Sequence, residues 1–292
     1  MIEIDRAKRI EISDKTWNNN VNDIIDYKTI IGQVFDSICN DYSLEILQVS
    51  SDLPNRAFEI IDELLRHRPD LTFRLYGMVK NNPFDLKRLT QMKNIHHISI
   101  DVLNKTNYRR FINLEQLKDI PTLESLSLSV YGKESLSFLN RMTGISTLYL
   151  FVGAGGTNVN IIDLSILKIK TIELGGKATI LLNGKAPADM RKLVIFNSNI
   201  SFDWIKNYNQ VEEICIYNSS LDLSVDAVNN ETVETLTFVN CSGIENCNLR
   251  NFRRLKKINI EDAGIDNNFT YYEAFIRNTN GVNTVIINGE QF

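Results

Sequence analysis

Apolar residues recur with a fixed spacing between residues 190 and 262. Each of four copies follows the pattern apolar-x-x-apolar-x-apolar, and the middle apolar residues are Leu193, Ile214, Leu236 and Ile258. These residues lie 21, 22 and 22 positions apart. A repeat of this period predicts a solenoid, in which every coil packs against its neighbours.

The last two apolar residues of each copy indicate a short strand. Leu193 and Ile195, for example, lie two positions apart, so both side chains point to one face. One coil of about 22 residues cannot bury this face alone, and stacked coils bury it against each other. We therefore predict an α/β solenoid with one continuous parallel sheet. The same pattern recurs at residues 44–49, 95–100, 123–128, 145–150, 169–174 and 282–287, and the alternating apolar residues at 71–75 indicate a further strand.

A turn follows each strand of the four copies. An Asn or Asp comes first, a small residue second, and an apolar residue then returns to the core. Side chains of Asn, Asp and Ser bond readily to nearby backbone, which favours turns. The first residues are Asn197, Asn218, Asn240 and Asp262, the small ones are Ser198, Ser219, Cys241 and Ala263, and the apolar ones are Ile200, Leu221, Ile244 and Ile265.

The combined pattern resembles the leucine-rich repeat family, whose motif is L-x-x-L-x-L-x-x-N/C-x-L. Only Cys241 matches the Asn/Cys position of that motif, because the other three copies have Ser or Ala there. The resemblance implies a right-handed horseshoe with one parallel sheet on the concave face and helices and turns on the convex face. It also implies a function, since proteins of this family generally bind other proteins on the concave sheet.

The domain organisation follows from the same pattern. Residues 1–42 are interpreted as an N-terminal cap, with a short strand at Ile10 and Ile12 and a helix over 22–39. Residues 43–292 form the solenoid, contiguous with the cap as one domain. Further helices are predicted over 56–66, 108–117 and 271–277. We expect a monomer in which the last strand, near Val285, is an exposed sheet edge that polar side chains blunt.

Composition and charge narrow the class of protein. The chain has 292 residues, a hydrophobic content of 43% and a net charge of -4, which argues against a nucleic-acid or anionic-membrane partner. Its start lacks the basic region and apolar run of a signal peptide, and no apolar stretch approaches the length of a membrane span. Four cysteines without framework spacing fit reduced thiols. We therefore expect a cytoplasmic protein.

Candidate chemistry is sparse. Gly153, Gly155 and Gly156 follow a strand as phosphate-binding glycines do, but no Gly-Lys-Ser/Thr follows, and a simple turn explains them as well. His97, Ser99 and Asp101 share one strand face, where they lie in a row and cannot converge as a catalytic triad. Cys241 and Cys247 are too far apart for a zinc motif. We predict no catalytic residue, no metal and no cofactor.

The concave sheet face carries the strongest functional signal. Outward positions of neighbouring strands are rich in apolar and aromatic residues, an arrangement typical of an interaction site. The predicted binding residues are Tyr149, Phe151, Val194, Phe196, Tyr217 and Val239.

These residues favour a non-enzymatic protein-binding scaffold, either an adaptor or an inhibitor of the immunity-protein type, whose partner is another protein. Two alternatives stay open. One is an enzyme or small-ligand site in the coil near Gly153 and Gly156. The other is a nucleic-acid binder that uses the basic run at 250–257, although we interpret that run as a solvated edge.

Overall fold

A computed structural model gives the architecture of the chain. It describes residues 7–14, 24–76, 83–101, 111–130, 135–153, 164–201, 203–222, 230–244, 249, 252–261 and 282–291. The chain divides into two compact units, Met1–Ile145 and Ser146–Phe292. Each unit is built on one large, mostly parallel sheet, and this arrangement is consistent with a solenoid. The predicted boundary after residue 42 stays a prediction.

The first unit has a main sheet of six parallel strands in the order β8-β6-β4-β3-β1-β2, and β5 and β7 pair separately. Its strands are β1 Arg9–Ser13, β2 Ile24–Asp26, β3 Ile46–Val49, β4 Thr72–Tyr76, β5 Phe84–Asp85, β6 His97–Asp101, β7 Phe111–Ile112 and β8 Ser125–Val130. Its helices are α1 Gln33–Asn40 and α2 Asn55–His67, with 3₁₀ helices η1 Tyr27–Thr29, η2 Leu86–Gln91, η3 Leu114–Asp119 and η4 Ser137–Arg141.

Helix α2 matches the predicted helix at 56–66, and its apolar stripe, which includes Phe58, Ile61 and Leu65, is buried. The predicted helix at 22–39 is wrong over its first part. Ile24 and Ile25 belong to β2, which pairs with β1, and the helix begins only at Gln33. β-branched residues such as Ile are favoured in strands, and here the available sheet edge decides their conformation.

The predicted helix at 108–117 is also wrong within the residues that the structure describes. Phe111 lies in β7 beside Phe84 of β5, and a 3₁₀ helix follows from Leu114. Asn113 separates the two elements with a φ of 60°, which no α-helix admits. Residues 108–110 lie outside the described residues.

The second unit has a sheet in the order β9-β10-β11-β13-β15-β16-β17-β18, and β12 and β14 pair separately. Its strands are β9 Thr147–Val152, β10 Thr171–Gly176, β11 Lys192–Phe196, β12 Asn199–Ser201, β13 Glu213–Tyr217, β14 Ser220–Asp222, β15 Thr235–Val239, β16 Lys257–Glu261, β17 Thr284–Ile287 and β18 Glu290–Gln291. Its 3₁₀ helices are η5 Lys177–Asn183 and η6 Asp203–Asn207.

The register of the second unit confirms the predicted repeat. Leu193 pairs with Ile214, Ile214 with Leu236 and Leu236 with Ile258, always between parallel strands. All four side chains have no exposed surface. The steps of 21 and 22 residues therefore place equivalent residues side by side in one core.

The C-terminal edge differs from the prediction. Strand β17 is not the last strand, because β18 folds back on it in antiparallel pairing, with Ile287 opposite Glu290. Asn288 and Gly289 join the two strands, with φ angles of 48° and 86°. Two positive φ angles are typical of the tight hairpin turns that Asn-Gly favours. The predicted helix at 271–277 and the turn residues Asp262, Ala263 and Ile265 lie outside the described residues.

Candidate functional site

The six predicted binding residues lie on the sheet face of the second unit that points away from its core, called here the outward face. Two rows of paired residues cross this face. Tyr149, Glu173, Val194, Cys215 and Thr237 form the inner row. Phe151, Gly175, Phe196, Tyr217 and Val239 form the aromatic row. The alternation along each strand thus brings the predicted residues together, as expected.

Three aromatic rings of the outward face pack over strand β10. The Phe196 ring stacks on Tyr149, with centroids 5.1 Å apart and planes 19° apart, and on Phe151, at 5.9 Å and 20°. Gly175 lies between Phe151 and Phe196 in the sheet and makes this possible. A Cβ atom at position 175 would overlap the Phe196 ring and lie 2.7 Å from Phe151 Cδ2. The absence of a side chain there leaves the space that the rings occupy.

The packing leaves a smaller exposed surface than the sequence suggested. Tyr149, Val194 and Phe196 retain only 6%, 8% and 7% of their accessible surface. Phe151, Tyr217 and Val239 are half-buried. The three buried residues therefore act as a packed base, and the accessible apolar surface consists of the other three.

A polar cluster surrounds Cys215 of the inner row. Lys192 Nζ lies 3.0 Å from Glu213 Oε1, and the Cys215 thiol donates to the same oxygen at 3.3 Å. Burial opposes the charge of Lys192, but the hydrogen bond to Glu213 and the charges of Cys215, Glu213 and Glu173 together outweigh burial and raise the lysine pKa. Burial, together with Glu213, raises the pKa of Cys215 to about 11, and burial raises the pKa of Tyr217 to about 12. The Cys215 thiol is therefore protonated at neutral pH and is a poor nucleophile.

The corresponding sheet face of the first unit is polar. Arg74 binds Asp101 through Nη2 at 2.6 Å, and both side chains are buried. Gln48 donates to Glu11 at 3.0 Å. Asp101 thus pairs with Arg74, while His97 and Ser99 follow one another along β6. This geometry agrees with the prediction that the His97, Ser99 and Asp101 row is not a triad.

An open groove runs along the carboxyl ends of strands β9, β10, β11, β13 and β15, with a volume of about 1070 Å³. Asn197, Asn218 and Asn240 line it, with φ angles of 49°, 47° and 50°. Their backbone N–H groups donate to the next strand, as in Asn218 to the Val239 carbonyl at 2.8 Å. Gly176, with a φ of 58°, holds the equivalent position on β10. The chain therefore turns at these positions, as predicted, through a positive φ and backbone hydrogen bonds.

The small residues that follow are buried and bond to backbone. The Ser219 hydroxyl donates to the Tyr217 carbonyl at 2.7 Å, and the Cys241 thiol lies 3.3 Å from the Ile216 carbonyl. Hydroxyls and a thiol thus occupy the position that the motif gives to Asn or Cys. Gly153 also lines the groove, whereas Gly155 and Gly156 lie outside the described residues.

The remaining candidates that the structure describes do not converge on a chemical site. Within the described ranges, no three His, Cys, Asp or Glu side chains are placed to hold a metal ion. Cys247 lies outside those ranges. Of the basic run at 250–257, Arg253 pairs with Glu231 and Lys256 with Glu234. Among the helices that the structure describes, none is long and apolar enough to cross a membrane.

Comparison with known proteins adds no identification. No family model matches the chain, and no curated protein matches it.

Proposed function

We propose that this protein is a non-enzymatic binding scaffold of the leucine-rich repeat kind, a cytoplasmic monomer that uses its outward face to bind another protein. The single observation that supports this most is the aromatic row. Tyr217 and Val239 present apolar surface on neighbouring strands, and Phe151 lies three strands from Tyr217 in the same row, beyond Gly175 and Phe196. Aromatic side chains are favoured anchors in protein interfaces.

The packed base beneath these residues strengthens the proposal. Phe196 is buried and stacked on both Tyr149 and Phe151, so the rings are held in place before any partner arrives. A preorganised surface loses less side-chain entropy on binding than a mobile one. Glycine in a strand interior lowers the stability of the strand, and the stacked rings require Gly175 in β10. This loss of stability is easier to explain if the sheet face binds a ligand.

The chemistry of the outward face also favours binding of a partner over catalysis. The Cys215 thiol is protonated and hydrogen-bonded to Glu213, and that carboxylate is paired with Lys192. The protein would then act by masking or bridging its partner, as an inhibitor or an adaptor does.

The experiment is a comparison of affinities for a partner that the wild-type protein captures from its native lysate. Tyr217→Ala and Val239→Ala each truncate an accessible residue of the aromatic row. We expect the purified partner to bind the double variant about 30-fold more weakly, since hot-spot residues contribute about 2 kcal/mol or more. Tyr42→Ala is the matched control, because Tyr42 is an 82% exposed tyrosine of the first unit. Equal affinity of the double variant and the control would refute the proposal.

A further inference from the structure

The groove described above has a repeating polar lining that the protein-binding proposal does not use. One row consists of the exposed residues Asn197, Asn218 and Asn240. A second row, two residues further along each coil, consists of the exposed residues Asn199, Ser220 and Ser242. Strands β12 and β14 pair here, and a parallel bridge joins Ser220 to Ser242, so the second row is fixed by backbone bonds. Both rows therefore repeat at the strand spacing of about 4.8 Å.

Several of the exposed side chains that line the groove have unused hydrogen-bonding groups. A carboxamide offers two donors and an acceptor, and a hydroxyl both donates and accepts. Asn240 Nδ2 donates to Asn218 Oδ1 at 3.3 Å, which aligns these two amides along the groove. Within the part of the chain that the structure describes, the side chains of Asn197, Asn199 and Ser242 make no hydrogen bond. The groove thus presents mixed donors and acceptors at regular intervals.

The charge of the lining selects the class of ligand. Lys177 is the one charged residue among the described residues of the groove, and no carboxylate lines it. A metal cation would need oxygen ligands with negative charge, and a phosphate group is held by several converging cations or N–H groups. Neither set is present among the described lining residues. An uncharged ligand rich in hydroxyl groups matches the amides and hydroxyls, because each of its groups also donates and accepts.

Shape adds two further constraints. The groove volume, about 1070 Å³, lies at the upper end of the range for small-molecule sites, which is about 300–1,000 Å³. Its open, elongated form across five strands suits a chain of several units better than a single small molecule. Phe151 forms part of the wall and is half-buried, so its ring offers an apolar surface to the C–H groups of a sugar ring.

We propose that this groove binds a neutral oligosaccharide, with its hydroxyl groups on the two polar rows and one sugar unit against Phe151. This groove is a separate site from the proposed protein-binding surface. The two share only Phe151, and they can succeed or fail independently.

The test uses substitutions that remove the amides and keep the backbone. Asn218→Gly and Asn240→Gly delete two carboxamides, and glycine retains the positive φ that these positions require. Asn288→Gly is the matched control, since Asn288 has the same backbone conformation, with a φ of 48°, outside the groove. Circular dichroism and thermal melting of the full chain establish that all variants fold.

The probes are cellohexaose, maltohexaose, xylohexaose and chitohexaose, titrated to millimolar concentration into isotope-labelled protein. At least one probe should shift the side-chain amide resonances of Asn197, Asn218 and Asn240. The same probe should bind the double variant Asn218→Gly/Asn240→Gly about tenfold more weakly, a loss of about 1.4 kcal/mol of binding free energy. The Asn288→Gly control should bind it unchanged.

Three outcomes would overturn the inference. The first is the absence of amide shifts with all four probes. The second is binding that the double variant retains in full. The third is that no sugar binds and that the Asn218→Gly/Asn240→Gly variant loses affinity for the protein partner. This result would assign the groove to the protein interface instead. The protein-binding proposal stands or falls separately, on Tyr217→Ala and Val239→Ala.

Discussion

The rings of Phe151 and Phe196 lie nearly parallel, with centroids 5.9 Å apart, above the backbone of Gly175. The two residues belong to strands β9 and β11, which are separated by β10, so their contact spans an intervening strand. Only a residue without a side chain on β10 allows it. The outward face of the second unit thus depends on one glycine for its packing.

The first prediction concerns that glycine. Gly175→Ala places a methyl group inside the space of the Phe196 ring and close to Phe151 Cδ2. Overpacking of this kind costs about 1–3 kcal/mol, because rings must leave their favoured positions. Denaturant unfolding should therefore show a loss in this range. Gly144→Ala is the control, since its Cβ would lie 3.4 Å from the Leu123 carbonyl oxygen, an ordinary contact. Similar losses in both variants would contradict the packing described here.

A second prediction separates the packed base from the accessible anchors. Phe196 is one of the six predicted binding residues, but its ring is 7% exposed. Phe196→Ala should lower the free energy of unfolding by about 3–5 kcal/mol, as large-to-small changes in packed sites do. Tyr217→Ala, at a half-buried position, should cost clearly less. Chemical denaturation measures both, and an unchanged stability of Phe196→Ala would show that the ring is not packed.

The third prediction concerns pH. Burial and Glu213 raise the pKa of Cys215 from its ordinary value of 9.0 to about 11, so the folded protein holds the thiol proton more tightly than the unfolded chain does. The protonated thiol is therefore a stabilising feature that is fully present below pH 9 and is lost as the pH rises through about 11. Cys215→Ser should remove this part of the alkaline loss of stability.

Alkylation rates test the same claim directly. Iodoacetamide should modify Cys215 slowly at pH 8 in the folded protein and quickly after denaturation, because only the thiolate reacts. Mass spectrometry of the labelled peptide gives the rate. Rapid modification of Cys215 in the native protein at pH 8 would contradict both the burial and the raised pKa.

The core and register of the second unit could be predicted from the sequence for a simple reason. Leu193, Ile214, Leu236 and Ile258 recur at nearly constant spacing, and a parallel coil of constant length has one register that buries all four. The turns at Asn197, Asn218 and Asn240 could also be predicted, because an Asn recurs directly after each strand. Their positive φ, which Asn tolerates better than most residues, is seen only in the structure.

The packing of the outward face could not be predicted in the same way. Strand alternation places Phe151 and Phe196 on one face, but their stacking depends on side-chain rotation across two strand spacings and on Gly175 between them. Period and polarity carry no information on ring orientation. Phe196 and Tyr217 were therefore predicted alike as binding residues, although Phe196 is buried and Tyr217 is half-buried.

Two further differences arise from competition between local pattern and sheet pairing. Ile24 and Ile25 fit a helical spacing as well as a strand, and the edge of β1 decides between them. At the other end, Asn288 and Gly289 form an Asn-Gly pair, which is a strong short-range hairpin signal. From the sequence, the polar side chains near Val285 were expected only to blunt an exposed edge, so β18 was not predicted.

The central claim is that the outward face of the second unit contacts a protein partner, and site-specific photocrosslinking tests it most directly. p-Benzoylphenylalanine replaces Val239 in the aromatic row of one variant. In a control variant it replaces Ile180, a 43% exposed residue of η5 in the same unit. After irradiation in native lysate, the variant at position 239 should yield one discrete heavier adduct, and excess unlabelled wild-type protein should abolish it. The variant at position 180 should yield none. An adduct from position 180 and none from position 239 would contradict the account.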